Sequence, residues 1–138
     1  MPQVRNLTAA FREELEARKG KIIISQYSDI NREGVYSDLW LIVTTRFVEV
    51  YQYKKDTEEF DLQVSFKWEQ IRSVKQQNLV GAGVLEATMA EDLVVLLQYS
   101  NTYTRDFNYV AKAMEKLVKL SEAEKEGFIF HSFKDSGK

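Results

Sequence analysis

The stretch that decides the fold is TRDFNYVAKAMEKLVKL, residues 104–120. Phe107, Val110, Ala111, Met114, Leu117 and Val118 recur at spacings of three and four, which puts them on one stripe of a helix. Asp106 in its first turn suits the positive end of the helix dipole, and Asn101 or Thr102 is placed to cap it. The rest of the chain reads mainly as strands. A lone amphipathic helix after such a series must bury its stripe across the open end or face of a bent sheet.

The strand reading is clearest in FDLQVSFKWE, residues 60–69. Phe60, Leu62, Val64, Phe66 and Trp68 alternate with Asp61, Gln63, Ser65, Lys67 and Glu69, so the spacing predicts a half-buried antiparallel strand with all five apolar residues on one face. Residues 21–30 form another candidate strand, closed by the turn-like Asn31-Arg32-Glu33-Gly34. Leu39 to Thr44 is apolar on both faces and belongs centrally in the sheet or under a helix. A turn at Thr44-Thr45-Arg46 leads into Phe47 to Tyr53, where Val48 and Val50 face one way and Tyr51 and Tyr53 the other. The charged run from Lys54 to Glu59 is an exposed hairpin connection.

Ile71 and Val74 continue the apolar pattern through a bulge or corner, and Asn78 to Gly83 is read as the next turn. Val84 to Met89 and Leu93 to Tyr99 make a hairpin about Ala90-Glu91-Asp92. That gives about seven strands. Ahead of them, Val4, Leu7, Phe11 and Leu15 recur at helical spacing and Gly20 follows Arg18 and Lys19, which predicts a helix from about Asn6 to Lys19. The domain organisation is an N-terminal helix over 1–20, a sheet domain over 21–120 and a C-terminal tail over 121–138.

Size and composition set outer bounds. At 138 residues one domain is the natural expectation, and such a chain buries roughly two-thirds of its unfolded surface. It has no cysteine, hence no disulfide framework, thiolate zinc site or cysteine nucleophile, which suits a reducing cytoplasm. No apolar run reaches the roughly 18 residues of a membrane span, and the N-terminus lacks a signal-peptide core. A formal charge of −2, with acids and bases interspersed, gives no long-range field for nucleic acid.

Strand order and local residues together resemble the pleckstrin-homology-like superfold. Leu39-Trp40-Leu41-Ile42-Val43-Thr44-Thr45-Arg46 resembles the strand and Thr-x-Arg turn of bacterial PH-like and GRAM-like domains, and Trp68-x-x-Ile71-x-x-Val74 resembles their next recurring piece. Val80-Gly81-Ala82-Gly83-Val84-Leu85-Glu86 and Leu97-Gln98-Tyr99-Ser100-Asn101 are similar to the PH-like domain preceding the membrane part of certain bacterial ABC exporters. The resemblance covers about residues 21–120 and implies an α+β fold: a curved antiparallel PH-like β-barrel capped by a C-terminal helix. It further implies a bacterial cytoplasmic accessory module, at or near the inner face of the membrane, that binds protein, peptide or lipid and performs no chemistry. The chain departs from the exporter arrangement in containing neither a transmembrane segment nor a nucleotide-binding motif.

The residues themselves offer little for catalysis. His131, the sole histidine, sits beside Ser132 in a polar tail without a base-orienting partner nearby. One histidine and no cysteine leave only carboxylates for a metal, and no loop has calcium-binding spacing. The acid pairs Glu13-Glu14, Glu58-Glu59 and Glu91-Asp92 fall where solvated charge is expected. Gly81-Ala82-Gly83 lacks the third glycine and the helix start of a dinucleotide site. The tyrosines read as core-rim packing, and no enzyme activity or cofactor is expected.

Interaction is the remaining class. A peptide adding a strand would use the edge from Ile71 to Gln77 beside the closing helix, flanked by Arg72, Lys75 and Gln77. Phe128, Ile129, Phe130 and Phe133 are costly to expose; they either fold back on the domain as a strand or plug, or dock on a second copy or a larger partner. The competing readings are a membrane-lipid module of phosphoinositide type using Lys54 and Lys55, whose charge is nearly cancelled by Asp56, Glu58 and Glu59, and a carrier of a small apolar ligand.

Overall fold

The computed structural model describes residues 7–132. The chain runs α1 (Ala9–Lys19), β1 (Ile22–Ile30), β2 (Tyr36–Thr44), β3 (Phe47–Lys54), β4 (Glu59–Lys67), a 3₁₀ turn (Trp68–Gln70), β5 (Ser73–Leu79), β6 (Ala82–Thr88), β7 (Leu93–Ser100), a second 3₁₀ turn (Asn101–Tyr103), α2 (Thr104–Val118) and α3 (Glu122–Glu126). All seven strands pair antiparallel in the order β4-β3-β2-β1-β7-β6-β5. The sheet is therefore not closed: β4 and β5 are its two free edges.

One core cluster gathers side chains from every strand and from α2, so the sheet curls around a filled interior. Phe107, Val110, Ala111, Met114 and Leu117 are buried in it and Val118 is packed against it, as the helical spacing requires. Each large apolar side chain on that stripe contributes about 1.5–3 kcal/mol on burial. A second cluster lies on the opposite face, where Leu15 of α1 joins Ile22, Tyr27, Trp40, Ile42 and Tyr51. β2 is sandwiched between the two: Leu39, Leu41 and Val43 enter the first cluster, Trp40 and Ile42 the second. That is why this segment is apolar on both faces.

β4 departs from the simple alternation. Val50 faces Val64 but Tyr51 faces Leu62, which makes Gln63 the extra residue of a β-bulge. The bulge turns Phe60 toward the second cluster while Val64 and Phe66 stay with the first, so the five apolar residues do not share one face. The strand also stops at Lys67, and Trp68 turns inward from the 3₁₀ turn, its Nε1 donating to Thr44 O at 2.8 Å.

Other boundaries also differ from expectation. α1 begins at Ala9, capped by Thr8, whose Oγ1 accepts from the Phe11 N–H at 3.2 Å; Asn6 lies outside the described residues. The loop between β5 and β6 is only Val80-Gly81, with Gly81 at φ 81° supplying the left-handed turn, so Asn78 and Gly83 are strand residues. Gly83 faces the ring of Tyr99, where a Cβ would collide. Neither Asn101 nor Thr102 caps α2; both belong to the 3₁₀ turn that leads into it, and the cap position is Tyr103, whose side chain does not cap the helix.

Past α2, Ser121 and Glu124 form a reciprocal capping box that starts α3 within the segment expected as a C-terminal tail. Among the described residues no further strand follows. Phe128 and Phe130 pack against the main core and Ile129 remains exposed. Phe133 lies outside the described residues.

Candidate functional site

β5 is a terminal strand with β6 on one side and α2 alongside its free edge. Between strand and helix lies a groove of about 500 Å³ lined by Val74, Lys75 and Gln76, and across from them by Asn108, Ala111, Lys112, Glu115 and Lys116. The helical residues recur at spacings of three and four, so they form one face of α2. Val74 and Ala111 give the groove an apolar floor at the point where the amphipathic stripe meets the strand.

In an antiparallel pair, successive residues alternate between bonding the neighbouring strand and turning N–H and C=O outward. Val74 belongs to the outward set, because its N–H donates to the carboxylate of Glu115. By alternation Gln76 and Asn78 follow it. Among the described residues, no other element takes the N–H of either. At the start of α2 the Gln76 side chain donates from Nε2 to Thr104 O at 3.2 Å, tying strand to helix. Of the two, Gln76 lines the groove and Asn78 lies further along the same strand edge.

Its charge is locally basic. Lys75, Lys112 and Lys116 are exposed and make no ion pair among the described residues, whereas Glu115 is engaged by the Val74 amide. Of the flanking residues expected from the sequence, only Lys75 lines the groove. Gln77 is turned to the outer face of the sheet, where its Nε2 donates to Glu86 Oε1 at 3.0 Å, and Arg72 sits before the strand with its N–H donating to Thr88 O at 2.8 Å. Of the helix contributions, Ala111 belongs to the apolar stripe, and Asn108, Lys112, Glu115 and Lys116 to its polar flank.

The other expected sites are dispersed. Lys54 Nζ lies 2.7 Å from Asp61, which raises the lysine pKa through a direct hydrogen bond, and Lys55 Nζ lies 4.0 Å from Asp38. The pair that would meet a lipid headgroup is thus opposed by carboxylates. Among the described residues, no three His, Asp or Glu side chains gather as a metal site. His131 is exposed, as are all six residues of the acid pairs. Tyr99 is fully buried and stacked on Phe107, with ring centroids 4.4 Å apart, and Tyr36 is the one strongly exposed tyrosine.

No protein-family model matches this chain, and no curated protein or solved structure does either. Among the described residues, no helix is long and apolar enough to cross a membrane.

Proposed function

We propose that this chain is a non-catalytic interaction module of PH-like architecture that binds an extended acidic peptide segment as an added strand on β5. The observation that carries the proposal is the free β5 edge, with the outward amides of Gln76 and Asn78 lying beside a groove furnished with three lysines. An exposed edge is a ready template for another strand, and main-chain bonds supply affinity while alternate side chains supply specificity. The lysines fix the sign of the preferred partner, and the small Ala111 leaves room for its inward side chains.

Two observations weigh against the competitors. Carboxylates oppose Lys54 and Lys55, which lowers the field available to an anionic lipid surface. Side chains from all strands fill the interior, so an apolar ligand would have no barrel lumen to enter. Of the two roles open to Phe128 and Phe130, folding back or docking, their packing against their own core favours the intramolecular one.

The test is fluorescence anisotropy with a labelled peptide of alternating valine and glutamate. Saturable binding is expected, weakened at least several-fold by Lys112→Glu with Lys116→Glu, and lost when the peptide backbone amides are methylated. Equal binding of an alternating valine and lysine peptide would overturn the reading.

A further inference from the structure

A second cavity lies away from the groove, at the end of the sheet where the β2–β3 turn, the Trp68 corner and the link from α2 to α3 converge. Its volume is about 550 Å³, within the range of roughly 300–1,000 Å³ typical of small-molecule sites. Phe47, Trp68, Val118 and Leu120 supply apolar wall. The charged lining is unbalanced, with Arg18, Arg46, Lys67 and Lys125 against Glu69 and Glu122.

Lys125 is the anomaly. A lysine is almost never fully buried unless paired, yet this residue is only 4 % exposed. Its Nζ donates to Leu120 O at 2.6 Å and stands 5.0 Å from the centre of the Trp68 ring. Both of those neighbours line the cavity, so the ammonium lies at its wall. Among the described residues no carboxylate comes within ion-pair distance; Glu69, Glu122 and Glu124 act on it only from further away. Burial accordingly pushes its pKa down. One carbonyl and one ring face leave donor capacity on a three-donor group unused.

The remaining cations differ in availability. Arg18 is held by Glu14 and Arg46 by Glu122, each at 3.1 Å. Lys67 is exposed and makes no ion pair among the described residues. Two ammonium groups without an ion pair among the described residues therefore frame a cavity whose walls include an indole and aliphatic side chains.

We infer that this cavity binds a small organic anion, with its acidic group on Lys125 and Lys67 and a flat apolar body against Trp68, Val118 and Leu120. An anion at that position supplies the counter-charge that the buried lysine lacks, and in a partly desolvated site a charge-assisted bond is roughly twice as strong as a neutral one. Carboxylates and phosphate monoesters share the required chemistry.

The experiment titrates the full chain with anilinonaphthalene sulfonate, an amphiphilic anion that fluoresces when bound, and in parallel with neutral phenylnaphthylamine. One saturable sulfonate site is expected. Lys125→Met should weaken it by about tenfold or more, the loss of roughly 1.4 kcal/mol, without weakening the neutral dye, and Lys112→Glu in the groove should leave it unchanged. Naphthoate and naphthyl phosphate then compete for the site, and the stronger competitor identifies the acidic group. Absence of saturable binding, displacement by neither competitor, or equal sulfonate affinity in Lys125→Met would overturn the inference. Should Lys125→Met fail to fold by circular dichroism, exposed Lys67→Glu decides instead: weaker sulfonate binding supports the site and unchanged binding overturns it.

Discussion

The backbone N–H of Val74, on the free edge of β5, donates to the carboxylate of Glu115 on α2. The helix thereby occupies the first outward amide that an incoming strand would use, and it places its own acid where an acidic ligand would lie. This contact both fixes the helix to the edge and competes with a partner. Glu115→Ala should destabilise the chain by about 1.5–3 kcal/mol, the worth of a hydrogen bond to a charged group. It should at the same time tighten the valine–glutamate peptide severalfold. Urea titration and anisotropy on the same variant check the two effects, which run in opposite directions.

Glu49 presents a buried carboxylate with complete satisfaction. It accepts from Tyr51 Oη and Ser65 Oγ, each at 2.6 Å, and lies 3.2 Å from Lys19 Nζ on α1. Lys19 also stands over the Phe47 ring, 4.4 Å from its centre. Removing the cation while leaving the buried charge is the costly change, about 3 kcal/mol for a buried pair. Lys19→Met should therefore lower the urea midpoint markedly, and adding Glu49→Gln to it should restore part of the loss because the buried group is then neutral.

Alkaline pH should unfold the chain through two tyrosines. Burial raises the Tyr27 and Tyr51 pKa values well above the ordinary 10.0, reinforced by hydrogen bonds to Asp38 and Glu49 respectively. A raised folded pKa means the native state holds the proton longer than the unfolded chain does, so this stability is full below about pH 10 and is lost as pH rises toward the folded values. Between about pH 10 and 12 the variant with Tyr27→Phe and Tyr51→Phe should lose less stability than the parent. Phenolate absorbance provides a second check: Tyr27 and Tyr51 should ionise only as the fold opens.

Gly83 is where β6 gives way to the Tyr99 ring, which is itself stacked on Phe107 of α2. Gly83→Ala should cost about 1–3 kcal/mol, because an added methyl must displace a ring that has no free side. A thermal melt reads this directly. By contrast Gly81→Ala meets no neighbouring atom and suffers only the strain of its positive φ, 81°.

These particulars also show what the sequence carried. The α2 stripe was legible because one helix face alone is buried, and the two-sided apolar run of β2 was legible because both clusters claim it. β4 misled because a bulge at Gln63 reverses the alternation halfway along while leaving the pattern of residue types intact. The Ser121-x-x-Glu124 capping box was available as a helix-start signal in the polar run. Lys125 carried no local signal, since its burial comes from Trp68 and Leu120, brought beside it by the fold. The groove was legible as a strand edge but not as a set of residues: which face of α2 lines it depends on the packing of the helix against β5.

Strand addition on β5 is tested most directly by amide chemical shifts recorded while the valine–glutamate peptide is titrated into the labelled full chain. The largest changes are expected at Gln76, Asn78 and Lys112, together with slowed hydrogen exchange of the Gln76 and Asn78 amides. Changes confined to the Lys54–Lys55 loop or the β4 edge, with those two amides still exchanging freely, would contradict it.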